Sequence, residues 1–94
     1  QQPHVAEEVL VEQSRIKPND PALWYLLAEV QGLSGNIVGL HQSRAEYFIL
    51  NGILDQAEKQ LTYALKLTRN DYHTSATINQ RLRDVADMRE QMES

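Results

Sequence analysis

His4, His41 and His73 are the first residues to test for chemistry, because imidazole serves both as a general base and as a metal ligand. They stand far apart in the sequence, none belongs to an H-x3-H pair, and no cysteine is present to complete a site. A zinc centre built from this chain alone would need an accidental convergence. The carboxylates offer little more. Glu7-Glu8, Asp84 with Asp87, and Glu90 with Glu93 recur at helical spacing on charged faces, where solvation is expected, whereas a general acid-base pair needs burial to move its pKa. No glycine-rich phosphate loop occurs, since each glycine falls at a turn or inside a helix. The residue types thus predict no catalytic, cofactor-binding or metal site in this segment. Recognition remains, through Tyr25, Glu29 and Leu33 on one helix and Arg44, Tyr47 and Phe48 on the next: an exposed aromatic with a nearby arginine is the composition of an interaction hot spot. Ordinary core or surface roles for these six residues stand as the alternative.

The elements that must position them are helices. Pro18 and Pro21 bracket Asn19-Asp20, so one helix stops before Pro18 and another starts with Asp20 as N-cap and Pro21 as its first residue. Gly35, within Ser34-Gly35-Asn36, and Gly52, after Asn51, suit the left-handed conformation that closes a helix. From Leu54 the residues Ala57, Leu61, Ala64 and Leu65 form an apolar stripe. A last helix begins near Asp71 or Thr74 and carries Ile78, Leu82, Val85, Met88 and Met92 at three- and four-residue steps, with Arg81, Arg83, Asp84, Asp87 and Glu90 as a polar outer face. The pattern predicts a single all-α domain over residues 1–94, with helices at about 3–17, 21–34, 37–51, 54–68 and 72–92 joined by short turns.

The spacing within these helices resembles the tetratricopeptide repeat. Trp24, Leu27 and Ala28 reproduce the opening of W-x2-L-G-x2-Y, with Ala28 for its glycine and Gln31 for its tyrosine. Ala57 and Leu61, followed by Ala64, keep the A-x3-large spacing of a second repeat helix, as do Ala6 and Leu10 near the start. The two glycine turns are separated by about half of the 34-residue repeat. The resemblance implies an antiparallel array of about five helices forming part of a right-handed superhelix, with the indole of Trp24 packed beside the small Ala28; Trp24→Ala would then cost about 3 to 5 kcal/mol. Its concave face would carry Tyr25, Glu29 and Leu33, joined by Arg44, Tyr47 or Phe48. A clamp for a terminal carboxylate wants Lys and Asn on that face, and Tyr25 and Glu29 stand there instead.

Composition narrows the partner. A net charge of -4 lacks the basic footprint of a nucleic-acid binder. The apolar runs are too short for a membrane span, and no signal peptide is visible. Partners are therefore expected to be proteins or peptides. The start at Gln1-Gln2-Pro3, without a methionine, points to a segment of a longer protein. In the first helix Val5, Val9, Val11 and Ile16 spread over more than one face, as expected if a preceding repeat covered one of them, and self-association through that helix is the expected consequence of leaving it bare. His41 and His73 could sense pH, or be plain helix-face residues.

A closer resemblance rests on the order Leu26-Leu27-Ala28-Glu29, Ser43-Arg44-Ala45-Glu46-Tyr47-Phe48, Gly52-Ile53-Leu54-Asp55-Gln56-Ala57 and Ile78-Asn79-Gln80-Arg81-Leu82. From about Trp24 to Met92 the chain resembles the C-terminal tetratricopeptide domain of bacterial periplasmic zinc metalloproteases that assist outer-membrane β-barrel assembly. The resemblance implies a separate protease domain with H-E-x-x-H and its zinc, absent from these residues. It also implies a periplasmic location and a helical domain that docks substrates or assembly partners and packs on the protease. The alternative is a tetratricopeptide scaffold of a cytoplasmic protein with no protease.

Overall fold

Asp20, Gly35 and Gly52 set the first boundaries of the chain in the computed structural model, which describes residues 2–93. Helix α1 (Pro3–Ile16) is followed by α2 (Pro21–Ser34), α3 (Ile37–Leu50), α4 (Leu54–Lys66) and α5 (Tyr72–Glu93). The fold is all-α, with no strand among the described residues. Asp20 accepts from the backbone N–H groups of Ala22 and Leu23, satisfying two of the donors that a helix start leaves free, and Pro21 needs no such acceptor. Helices α2 and α3 end alike. Gly35 and Gly52 take φ of 85° and 74°. After each, the next N–H reaches back to Gln31 or Phe48, both at 2.9 Å, while the glycine N–H bonds Gly32 or Ile49. This is the paired hydrogen-bond closure of a Schellman turn, which an L side chain at the glycine position would strain.

Contacts run between successive helices, α1 with α2 through to α4 with α5, consistent with a helical repeat array. The thinnest dimension, 19 Å against 47 and 31 Å, corresponds to two layers of helices. A shallow cleft between α1 and α3 has Leu27 of α2 among its lining, and a second between α3 and α5 has Leu61 of α4. Both leucines are buried, so α1, α3 and α5 form one layer and α2 and α4 the other. The apolar core gathers Ala45, Leu54, Ala57, Leu61, Ala64, Ile78 and Val85, with Phe48, Ile49, Leu65, Leu82 and Met88 packed against it. The three alanines let backbones approach closely while Leu61 and Ile78 supply volume. No helix among the described residues is long and apolar enough to cross a membrane.

Several expectations need correction. Helix α4 stops at Lys66, and its exit is held by Thr68: Ser75 Oγ donates to the Thr68 carbonyl at 2.6 Å, and Asp71 caps α5 through Thr74. The buried seam of α5 ends at Met88: Met92 is 67% exposed, at the edge of a shallow cleft that it shares with Ile53, Leu54 and Asp55 at the start of α4. Trp24 is only half-buried, its Nε1–H donating to the Pro18 carbonyl at 2.8 Å, so the ring braces the turn before α2 as well as the α1–α2 contact. The closely packed pair in α2 is Leu27 and Ala28.

Candidate docking site

Tyr25 and Glu29 sit one turn apart on α2, while Leu40, Arg44, Tyr47 and Phe48 recur at three- and four-residue steps on α3. Antiparallel packing brings the two rows together around a cavity of about 160 Å³, with the small Ala28 between them. The rings of Tyr25 and Tyr47 lie 5.4 Å apart at 54°, and those of Tyr47 and Phe48 5.7 Å apart at 66°. Both pairs fall in the tilted range that aromatic quadrupoles favour. Tyr25 is 54% exposed, so the aromatic wall faces solvent on one side. Arg44 and Glu29 are exposed and, among the described residues, neither side chain has a hydrogen bond or ion pair. The site thus combines an apolar floor, tilted rings and two uncommitted opposite charges at its mouth.

Five of the six expected recognition residues line this cavity: Tyr25, Glu29, Arg44, Tyr47 and Phe48. Leu33 does not. It lies on the outer side of α2, 78% exposed, because each four-residue step advances the helix by about 40° and two such steps carry it off the row begun by Tyr25. Leu40, which helps floor the cavity, has no feature in the sequence distinguishing it from a core leucine.

A polar knot fixes α2 against α3. Gln31 and Ser43 are buried at 6% and 2%, and the Ser43 hydroxyl donates to the Gln31 side-chain carbonyl at 2.5 Å. Gln31, standing where the repeat signature has tyrosine, thus spends its amide on the interhelical contact. Glu7 of α1 accepts from Ser34 Oγ at 2.7 Å and from Asn36 Nδ2 at 2.6 Å, while Asn36 Oδ1 caps α3 through the Gly39 N–H. Burial works to raise the Glu7 pKa, but hydrogen bonds from Ser34, Asn36 and Gln31 outweigh it and hold the carboxyl below its ordinary value. Glu7 is therefore a structural anchor, contrary to the solvated role expected for Glu7-Glu8.

The larger cleft, about 510 Å³ between α3 and α5, is crossed by Arg81. Its Nε and Nη2 donate to Glu46 at 2.7 and 2.8 Å, and Nη1 donates to Asp84 at 3.0 Å. These bonds, led by the one to Glu46, hold the guanidinium proton more firmly than usual, and Gln80 with Arg81 lowers the Asp84 pKa. Arg81 and Asp84 thus face α3 and do not belong to the outer surface assigned from periodicity, where Arg83, Asp87 and Glu90 remain exposed. Arg89 reaches α4 at Asp55 and Glu58. His41 Nδ1 lies 2.7 Å from Gln60 Oε1 and its ring 5.4 Å from that of Tyr63, while His4 and His73 are exposed. No group of three His, Asp or Glu that could hold a metal ion forms among the described residues.

The geometry defines an all-α helical array with an aromatic-walled surface cavity. The chain matches no family model and no curated protein.

Proposed function

We propose that this domain is a protein-binding module in which the α2–α3 cavity docks one side chain of a partner polypeptide. The observation that carries the reading is the pairing of mutually packed rings, Tyr25 exposed among them, with Arg44 and Glu29, whose charges have no partner among the described residues. Aromatic and arginine side chains dominate protein interfaces because they bury large area and can form several polar contacts. Helices hold the rings and Ala28 in place before binding, which limits the ordering cost of association. Hydrolysis, on this reading, is the task of a separate domain. The resemblance of Arg44-Ala45-Glu46-Tyr47 and the segments around it supports a periplasmic zinc metalloprotease and chaperone as the parent, with barrel precursors or assembly machinery as partners.

Site-specific photo-crosslinking in cells tests this, with probes at Tyr25, Glu29 or Arg44 of the full-length parent and a control at Glu90. Crosslinks to envelope proteins from the cavity positions, absent from Glu90, are the expected result. Equal or absent crosslinking at all four positions overturns the docking role. An upstream coding sequence lacking both a signal peptide and H-E-x-x-H removes the protease parent and leaves a cytoplasmic scaffold.

A further inference from the structure

The cavity between α2 and α3 belongs to a longer groove. Helices α2 and α4 share a layer without substantial contact with each other, so the space between them is open and α3 forms its floor. On α3, Ile37, His41, Arg44 and Phe48 fall within an arc of about 60°. Arg44 and Phe48 line the cavity with Tyr25 and Glu29 of α2. His41 instead meets α4, its ring 5.4 Å from that of Tyr63 and its Nδ1 2.7 Å from Gln60 Oε1. One stripe of α3 thus serves both walls, which makes it the stripe that faces the gap. On the α4 wall, Lys59 and Lys66 stand one turn to either side of Tyr63, and all three are exposed.

The charges of this groove do not balance. Arg44, Lys59 and Lys66 have neither a hydrogen bond nor an ion pair among the described residues. The nearby carboxylates are committed elsewhere: Asp55 and Glu58 of α4 accept from Arg89 of α5, and Asp71 caps α5 through Thr74. Glu29 alone stays free on the groove walls. Three free cations therefore face one free carboxylate, on a chain whose formal net charge is -4. The cavity itself, about 160 Å³, has the room of about five waters, enough for one large apolar side chain.

We infer that the segment docked here is acidic: one apolar side chain enters the cavity while flanking Asp or Glu residues lie along the groove against Arg44, Lys59 and Lys66. This rests on the docking role of the α2–α3 cavity and names the chemistry of its partner. An acidic segment is repelled by the chain as a whole and attracted by this groove, so charge selects the site as well as the sequence that fills it.

Fluorescence anisotropy on the 94-residue chain with short labelled peptides of equal length tests the charge of the partner. Two peptides carry a central phenylalanine, flanked by glutamate and serine in one and by lysine and serine in the other. A third is the acidic peptide with serine in place of the phenylalanine. An exposed ion pair changes affinity about two- to fivefold, so the acidic peptide should bind at least about tenfold tighter than the basic one at low salt and lose most of that margin at about 0.5 M salt. The serine peptide should bind at least about tenfold more weakly than its phenylalanine parent. Arg44→Glu combined with Lys59→Glu, at exposed positions without internal partners, should reverse the preference while the circular dichroism spectrum stays helical. Glu29→Gln should tighten acidic binding about two- to fivefold, a gain that a merely structural role does not produce. Equal binding of the acidic and basic peptides, lost with the phenylalanine, overturns the inference and leaves the cavity as a docking site for a segment of other charge. Preference for the basic peptide, or a preference unmoved by the double reversal, also overturns it. No binding of any peptide overturns it too, and crosslinking from Tyr25, Glu29 and Arg44 then decides the docking role by itself.

Discussion

Gly39→Ala should destabilise the protein, although alanine is the better helix former. In an unencumbered helix interior the substitution gains about 1 kcal/mol. At Gly39 an added Cβ would stand 2.5 Å from Asn36 Nδ2 and 2.6 Å from Gln31 Nε2. Both atoms end flexible side chains, and the decisive question is what those side chains lose by moving. Asn36 caps α3 and binds Glu7, and Gln31 is the acceptor for the buried Ser43 hydroxyl. A lost cap costs about 1 kcal/mol, and a hydroxyl left buried without an acceptor about 1 to 3 kcal/mol. Against the propensity gain the net loss is about 1 to 3 kcal/mol, a fall in Tm of about 4 °C or more for a domain of this size. Gly32→Ala is the internal control. Its nearest neighbour would be Leu40 Cδ1 at 3.7 Å, an ordinary contact, so stability should rise by about 0.5 to 1 kcal/mol. Urea unfolding followed by far-ultraviolet circular dichroism reads both. Equal stabilisation by the two substitutions would refute the claim that the Gln31–Asn36 knot requires glycine.

Glu7→Gln should narrow the difference between neutral and acid stability. A carboxyl whose folded pKa is depressed contributes stability fully above its unfolded value and loses it as pH falls through the folded one. The Tm gap between wild type and Glu7→Gln should therefore be largest near pH 6 and shrink below about pH 4; a gap that is constant with pH would contradict the anchoring role. Arg81→Met should cost about 1 to 3 kcal/mol in urea unfolding by leaving Glu46, 21% exposed, without its donors, and the added Glu46→Leu change should recover most of the loss. A single-variant loss under about 0.5 kcal/mol would place the pair among inert surface bridges. Leu61→Ala should cost about 2 to 5 kcal/mol and exceed Trp24→Ala, since Leu61 is 1% exposed and the indole only half-buried; the reverse order would show that the ring, and not Leu61, anchors the core.

The parts of the fold legible in the sequence are those decided by local backbone chemistry. Asp20-Pro21 can only open a helix, and Gly35 and Gly52 close theirs with positive φ, so the start of α2 and the turns around α3 follow from a few residues. Periodicity found the buried Ala57, Leu61 and Ala64 for the same reason. It misplaced Arg81 and Glu7, because a helical wheel gives a residue's direction but not the partner that a neighbouring helix offers. Glu46 lies 35 residues from Arg81, and the Glu7 partners are 27 and 29 residues away. Met92 keeps the apolar spacing yet stands beside the turn that opens α4, where it borders an open cleft and stays exposed, a matter of what faces it that no window within α5 contains.

The cavity shows how these two kinds of information combine. Its rows were legible because residues one turn apart share a helix face, and the Gly35 turn makes α2 and α3 neighbours. Its exact wall depends on how α2 is rotated against α3, and the apolar cluster centred on α3, α4 and α5 contains no α2 residue. Leu27 and Ala28 supply burial there, but apolar contact tolerates small rotations. The Gln31–Ser43 bond and the Glu7 bridge to Ser34 and Asn36 do not, because each requires a donor and an acceptor to meet. The polar knot is thus what fixes the aim of Tyr25 and Glu29, and α1, through Glu7, takes part in shaping a site that it does not touch.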